Sequence, residues 1–113
     1  MPGGGNVSGV FGHQLMGVRL YTTSVDNSVR LWDLRSAQVK ARMVGHRDFV
    51  RALAGAGEAL FTGSDDKTIR VWDLDFNDCA RVLSGHEHYI TSLLCAKGRL
   101  YSAAMDKTIR IWD

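Results

Sequence analysis

The dipeptide Trp-Asp occurs three times in this 113-residue chain, at a constant spacing of 40 residues. The segments that end at each copy also align with one another without a gap; they are 20–33, 60–73 and 100–113. A Gly-His dipeptide lies upstream of the second and third copies, at Gly45-His46 and Gly85-His86. Self-similarity of this length at a fixed period indicates an array of repeated structural units.

Within each repeat, short runs of β-forming residues alternate with turn residues. In the second repeat the predicted strands are 49–54, 59–62, 68–72 and 79–83, and the predicted turns are at 55–58, with Gly55, Gly57 and Glu58, at 65–67 and at 75–78. Connections this short join antiparallel neighbours, since a parallel return needs a crossover of about a dozen residues. In the strand 68–72, Ile69 and Val71 point to one face and Trp72 to the other. The sequence therefore predicts an all-β fold of four-stranded antiparallel sheets, with both faces of each sheet covered by neighbours.

Residues from about 20 to 113 resemble WD40 repeats, with the stretch before them as a degraded or truncated first unit. The resemblance implies β-propeller blades, and about three of them form an incomplete ring because closed propellers have about 4 to 8. It also implies that each repeat supplies the outer strand of one blade and the inner three strands of the next. We expect a flexible Gly-rich leader at 1–6 and a partial propeller at 7–113, with repeats ending near 33, 73 and 113.

Composition narrows the class of protein. Apolar residues make up 45% of the chain and charged residues 23%, which is ordinary for a globular protein. No apolar run approaches the roughly 18 residues of a membrane helix, and the start lacks the features of a secretory signal, so a cytoplasmic or nuclear setting is expected. The net charge is +2, and the 14 basic and 12 acidic residues are spread over all repeats without a block of one sign, so a nucleic-acid partner is not expected. Cys79 and Cys95 lack metal-ligand spacing and are expected as free thiols, so no metal or cofactor is predicted.

The resemblance implies a hydrogen-bonded chain of His, Ser or Thr, Asp and Trp in each blade. Because the set recurs with each repeat and includes an indole that cannot act as acid or base, we interpret it as structural and the protein as a non-enzyme. The third repeat has Ala104 in place of the serine, so its network is expected to be incomplete. The predicted members are His46, Ser64, Asp66 and Trp72 in the second repeat, His86, Asp106 and Trp112 in the third, and Ser24, Asp26 and Trp32 in the first.

The start of the first repeat allows two interpretations. In one, Gly12-His13 opens the repeat after a deletion of about seven residues, 7–11 forms an outer strand, and the innermost strand is lost. The other keeps the 40-residue register, makes Val10 the equivalent of Val50 and Ile90, and treats His13 as incidental. We favour the second interpretation.

In WD40 proteins, partners often dock over the top face and the central channel of the ring. Carried over to this chain, the candidate contacts are Phe49, Arg51, Asp65, Tyr89, Thr91 and Met105, with Val25 as a weaker counterpart in the first repeat. Alternatively, Phe49 and Tyr89 only pack against neighbouring loops, and Arg51 pairs with Asp65. The arginines at the same place in each repeat, Arg30, Arg70 and Arg110, are expected to be structural instead of forming a phosphate-binding ring.

The predicted function is a non-catalytic scaffold for protein–protein interaction, as a fragment of a larger propeller. Self-association that completes a ring is a second possibility for the assembly. Two alternative functions remain open. One is a substrate-recruiting subunit of a ubiquitin ligase, because the compact segment 95–102 resembles such propellers. The other is an RNA-binding propeller, which the exposed aromatic residues and the small positive charge suggest.

Overall fold

The computed structural model describes residues 12–113, and all of its regular elements in this range are β-strands. The predicted leader, the segment 7–11 and Val10 lie outside the described residues. Within 12–113, no helix is long and apolar enough to cross a membrane. The strands are β1 (Gly12–Met16), β2 (Arg19–Thr23), β3 (Val29–Asp33), β4 (Gln38–Met43), β5 (Val50–Ala56), β6 (Ala59–Ser64), β7 (Ile69–Asp73), β8 (Asp78–Leu83), β9 (Ile90–Ala96), β10 (Arg99–Ala104) and β11 (Ile109–Trp112).

These strands form three antiparallel sheets in chain order, which we name blades 1 to 3. Blade 1 has the order β1-β2-β3-β4, blade 2 the order β5-β6-β7-β8, and blade 3 contains β9, β10 and β11. The predicted all-β fold of antiparallel propeller blades in an incomplete ring is confirmed. The four predicted strands of the second repeat correspond to β5 to β8, with ends that differ by one or two residues.

Tight turns connect the strands, and their residues adopt the backbone conformations that such turns need. The β5–β6 hairpin turns at Gly57-Glu58, where Gly57 has a φ of 60°. The β6–β7 turn is closed by Asp66, whose Oδ1 accepts hydrogen bonds from the Thr68 backbone N–H at 2.9 Å and hydroxyl at 2.6 Å. The assignment of Gly55 to the first turn is wrong, because Gly55 pairs with Leu60 within the ladder.

Blade 1 follows the 40-residue register that we favoured. Gly12 pairs with Thr23 in the ladder of blade 1, and the residues 40 positions later, Ala52 and Gly63, pair in the same way in blade 2. The innermost strand of blade 1 is therefore present as β1, and the interpretation that a deletion removed it is wrong. His13 is the second residue of β1 and does not lie in a loop that precedes a blade.

The hydrophobic core lies in the seams between blades. The seam between blades 1 and 2 buries side chains from both, including Tyr21, Met43, Val50, Leu60 and Trp72. The seam between blades 2 and 3 is built on Ile69, Ile90 and Leu100, with Phe61, Leu83, Leu93, Cys95 and Trp112 packed around them. Each blade thus depends on its neighbour for burial of its apolar face, as the alternation of Ile69, Val71 and Trp72 predicts.

Candidate functional site

A chain of four hydrogen-bonded side chains fixes the turns of blade 2. Trp72 Nε1 donates to Thr62 Oγ1 at 2.7 Å, and Thr62 Oγ1 lies 2.8 Å from His46 Nε2. His46 Nδ1 lies 2.8 Å from Asp66 Oδ2. Because an indole N–H can only donate, the Thr62 hydroxyl accepts from Trp72 and donates to His46, whose Nδ1–H donates to the carboxylate. Thr62 lies in β6, Trp72 in β7, and His46 and Asp66 in the loops beside these strands. The hydrogen-bonded network therefore has a structural role within blade 2.

The prediction that Ser64 provides the hydroxyl link is wrong, because Thr62 provides it. Ser64 Oγ instead donates to the Asp48 carbonyl at 3.1 Å and accepts from the Asp66 backbone N–H at 3.0 Å. Ser64 lies two residues further along β6, and a strand rises about 3.3 Å per residue. That distance places the Ser64 hydroxyl beyond the reach of the Trp72 indole.

Blade 3 contains the complete network, so the expectation that it is incomplete is also wrong. Ser102 Oγ lies 2.7 Å from His86 Nε2 and accepts from Trp112 Nε1 at 2.9 Å. His86 Nδ1 lies 3.0 Å from Asp106 Oδ2. Ala104 removes no member of the chain, because the linking hydroxyl comes from the position two residues before it.

Blade 1 holds its turn with an arginine. Trp32 Nε1 donates to Thr22 Oγ1 at 2.9 Å, as in the other blades. Asp26, however, is bonded by Arg30 Nη2 at 2.7 Å and by the Ser24 hydroxyl at 2.6 Å, and Arg30 Nη1 also donates to Ser24 at 2.6 Å. Within residues 12–113, the cationic group that secures this aspartate is therefore a guanidinium and not a histidine.

The equivalent arginines of blades 2 and 3 lie against the glycine of the Gly-His dipeptide. Arg110 Nη2 donates to the Gly85 carbonyl at 2.8 Å, and Arg70 Nη1 donates to Cys79 Sγ at 3.3 Å. A Cβ atom on Gly45 would lie 2.7 Å from Arg70 Nη1, and one on Gly85 would lie 2.9 Å from Arg110 Nη1. These contacts support the structural role predicted for the recurring arginines, and they explain why glycine precedes the histidine.

The aspartates of the network are held in the ionised form. Burial by itself would raise the pKa of Asp66, but hydrogen bonds from His46, Thr68 and a backbone N–H outweigh it and hold this pKa well below its ordinary value. Hydrogen bonds likewise lower the pKa of Asp106, and the largest effect comes from Thr108, the equivalent of Thr68. The carboxylates therefore serve as permanent acceptors that orient the loops.

We expect stability to fall in acid because of these carboxylates. The folded-state pKa of Asp66 lies below the ordinary 3.8, so folding favours the ionised form. Its stabilising contribution is complete well above pH 3.8 and is lost as the pH falls below that value. Urea unfolding between pH 6 and pH 2.5 measures this loss. Asp66→Asn should flatten the dependence more than Asp75→Asn, a change at an exposed turn position, and equal slopes would contradict the assignment.

Five of the predicted contact residues come together across blades 2 and 3. Asp65 forms an ion pair with Arg51 Nε, and the Arg51 guanidinium carbon lies 5.8 Å from the centre of the Tyr89 ring. The backbone N–H of Asp65 donates to the Phe49 carbonyl at 2.8 Å, and that of Met105 donates to the Tyr89 carbonyl at 2.9 Å. We name Phe49, Arg51, Asp65, Tyr89 and Met105 the top-face cluster.

The exposure of these side chains separates contact residues from supporting ones. Met105 is 57% exposed and the Arg51 side chain 42% exposed, whereas Asp65 is buried. Asp65 therefore positions Arg51, and its carboxylate raises the pKa of the guanidinium. Thr91 is exposed next to this cluster, and its hydroxyl donates to the Ala103 carbonyl at 3.3 Å. Val25, in the equivalent turn of blade 1, is also exposed.

Sequence reasoning missed His88, which holds Tyr89 in place. The backbone N–H of Tyr89 donates to His88 Nδ1 at 2.8 Å, and the two rings meet edge to face with centres 4.5 Å apart. In blade 2 the Asp48 carboxylate accepts from the backbone N–H of Phe49 at 2.8 Å in the same way. An acceptor side chain directly before the aromatic residue of the second and third repeats is the pattern that identifies this role.

The match to known families agrees with this geometry. The model of the WD domain, G-beta repeat, family matches residues 5–33, 37–73 and 77–113, and the chain belongs to this family. The segment 37–73 begins just before β4 of blade 1 and ends with β7 of blade 2, which confirms the predicted offset between repeat and blade. Domains of this family generally act as protein-interaction scaffolds without catalytic activity.

Two computationally designed proteins of known crystal structure are similar to this chain. Ika4 is 27% identical with a TM-score of 0.85 over 91% of this chain and 64% of Ika4. Ika8 is 27% identical with a TM-score of 0.84 over 91% of this chain and 32% of Ika8. The chain therefore spans less than two thirds of either protein. No curated protein matches the sequence.

Proposed function

We propose that this chain is a scaffold that binds a protein or peptide through the top-face cluster, within a propeller that has more than three blades. The observation that carries the proposal is the position of Arg51, which forms an ion pair with the buried Asp65 and lies 5.8 Å from the centre of the Tyr89 ring in the next blade. Arginine and aromatic side chains are enriched at binding hot spots. A surface whose side chains are already ordered loses less conformational entropy when a partner binds.

The chemistry of the cluster indicates what a partner segment presents. Met105 is exposed and Tyr89 is partly exposed, so both offer apolar area, and methionine adapts its shape to different partners. The Arg51 guanidinium carries N–H donors that match a carboxylate or a carbonyl group. A segment with an apolar side chain beside an acidic residue or an exposed carbonyl fits both features.

Peptides selected from a random library against the full chain test this proposal. We expect Tyr89→Ala and Met105→Ala to raise the Kd of the selected peptides about tenfold or more, which corresponds to roughly 1.4 kcal/mol. Phe76→Ala is the control, because Phe76 is exposed in the β7–β8 turn, outside the cluster. Isothermal titration calorimetry measures each Kd. If selected peptides bind all three variants as tightly as the unchanged chain, their site lies elsewhere.

A further inference from the structure

A cavity of about 660 Å³ opens at one end of the seam between blades 1 and 2. It lies between the β1–β2 hairpin of blade 1 and the β5–β6 hairpin of blade 2, and we name it the seam cavity. Both of these blades are four-stranded sheets. Sites for small molecules usually measure about 300 to 1,000 Å³. Because β6 runs from Ala59 at this end to Ser64 beside Asp65, the seam cavity and the top-face cluster lie at opposite ends of the blades.

Tyr21 of β2 lines the seam cavity and carries a hydroxyl group that the fold leaves unpaired. The residue is 0% exposed, yet its hydroxyl group has no hydrogen-bond partner anywhere in 12–113. A buried polar group without a partner costs stability, and buried polar groups in folded proteins nearly always have one. A ligand in the cavity that exchanges a hydrogen bond with this hydroxyl would supply the partner.

Packing does not explain why this position is a tyrosine. The residue 40 positions later is Phe61, which packs in the seam between blades 2 and 3 without a hydroxyl group. Phenylalanine therefore fits this place in the repeat and introduces no unpaired buried group. The hydroxyl group of Tyr21 is thus an addition that the packing of the seam does not require.

The body of the seam cavity is apolar, and its hairpin side is open. Met16 and Leu74 contribute apolar side chains, and Met16 lies over Gly55, where a Cβ atom would collide with its thioether. Methionine adapts its shape to a ligand, and its sulfur makes favourable contacts with aromatic rings. At the hairpin turns, a Cβ atom on Gly17 or Gly57 would meet nothing within 4 Å. A small molecule can therefore enter between the two hairpins.

Two carboxylates of blade 2 stand at this entrance. The backbone N–H of Leu74 donates to the Glu58 carbonyl at 2.9 Å, and Asp75 follows Leu74 in the chain. This bond places Glu58 and Asp75 at the same end of the blade, where both are exposed and line the cavity. The equivalent residues of blade 1 are Val18 and Arg35, so the acidic pair is not a general feature of the repeat.

Arg19 of blade 1 also lines the cavity, but its charge is opposed within its own blade. It lies opposite Asp33 in the ladder between β2 and β3. The corresponding residues of blade 3, Arg99 and Asp113, form an ion pair at 3.1 Å. The two carboxylates of blade 2 therefore determine the charge of the entrance, which attracts a cation.

We propose that the seam cavity binds a small organic amine. The ammonium group of the ligand pairs with the carboxylates of Glu58 and Asp75 at the entrance, and its apolar body contacts Met16 and Leu74. A hydrogen-bonding group at the other end of the ligand reaches the Tyr21 hydroxyl. Because the ligand contacts both blades, its binding stabilises the joint between them. This site is separate from the top-face cluster, and neither proposal depends on the other.

Tyramine is a probe that carries an amine, an aromatic body and a hydroxyl group. In an NMR titration of the isotope-labelled full chain, we expect tyramine to shift the amide signals of Gly17 and Gly57 in a saturable way. The probe 4-hydroxyphenylacetate has a carboxylate in place of the amine and should bind about tenfold more weakly or less. The absence of saturable shifts with tyramine at millimolar concentration, or equal binding of the two probes, would overturn the proposal.

Substitutions in the cavity test the two polar contacts separately. Tyr21→Phe should raise the Kd of tyramine about tenfold and leave the Kd of phenethylamine, which lacks the hydroxyl group, unchanged. The double variant Glu58→Gln, Asp75→Asn should weaken both amines. Asp78→Asn removes a charge at an exposed position that does not line the cavity, and it should weaken neither. An equal effect of Tyr21→Phe on both amines, or of Asp78→Asn and the double variant, would contradict the assigned contacts.

The unliganded protein provides an independent readout for the Tyr21 hydroxyl. Because Tyr21→Phe removes a buried group that has no partner, the midpoint of urea unfolding should be no lower than that of the unchanged chain. A lower midpoint would show that the hydroxyl already has a partner without a ligand, and the proposal would then be wrong. Peptide binding at the top-face cluster is measured in its own titration, so the two proposals succeed or fail separately.

Discussion

Thr62→Val is expected to lower the free energy of unfolding by roughly 2 to 6 kcal/mol. Valine keeps the shape of threonine but leaves His46 Nε2 and the Trp72 indole N–H without their shared partner. All three residues are buried, so water cannot replace the lost hydroxyl. Each unpaired buried group costs roughly 1–3 kcal/mol. Urea unfolding followed by tryptophan fluorescence measures the change, at one protein concentration for all variants.

Thr22→Val in blade 1 is the matched control for this prediction. Among the residues that the structure describes, the Thr22 hydroxyl binds only the Trp32 indole, so its loss leaves one group unpaired instead of two. We expect a loss of roughly 1 to 3 kcal/mol, about half of that for Thr62→Val. A Thr62→Val effect no larger than the control would mean that Thr62 does not link histidine to tryptophan.

Asp66→Ala is expected to cost about 4 kcal/mol, because four donors converge on this carboxylate. Besides His46 Nδ1, the carboxylate accepts from the Arg47 backbone N–H at 3.0 Å and from the backbone N–H and hydroxyl of Thr68. Hydrogen bonds to charged groups each contribute roughly 1.5–3 kcal/mol, and a network loses more than one bond when its centre is removed. The same urea titration measures the loss.

Asp75→Ala makes the same chemical change in the β7–β8 turn, where the side chain is exposed. We expect this control to stay within about 0.5 kcal/mol of the unchanged protein. If Asp66→Ala resembles it, the carboxylate does not organise the loop that carries His46. A loss that is full near pH 6 and shrinks progressively as the pH falls below 3.8 would in turn agree with the lowered pKa of Asp66.

The fold could be predicted from the sequence because its determinants are local and repeated. The 40-residue period and the turn residues between β-rich runs define the strands of blade 2 to within one or two residues. The same period resolved the start of blade 1, where β1 keeps the pairing of β5. Only the strand ends and the position of Gly55 differ, since these depend on how far each ladder extends.

The linking hydroxyl was misassigned because two candidates lie on the same face of β6. Thr62 and Ser64 are two residues apart, so alternation along the strand does not distinguish them. Recurrence does, because a hydroxyl stands ten residues before every repeated tryptophan, at Thr22, Thr62 and Ser102, whereas the Ser64 position is Ala104 in the third repeat. The contact between Arg51 and Tyr89 carries no such pattern, because it joins different blades and depends on the angle between them.

The offset between repeat and blade has a consequence for how a gene could lengthen such an array. β4 and β8 belong to the sequence repeat that follows their blade. The segment from 37 to 73 therefore supplies the outer strand of blade 1 and the inner three strands of blade 2. Duplication of a 40-residue unit therefore inserts an outer strand that completes the preceding blade and three inner strands that the outer strand of the next repeat completes. Unequal crossing-over could thereby add or remove modules without leaving a strand unpaired inside the array.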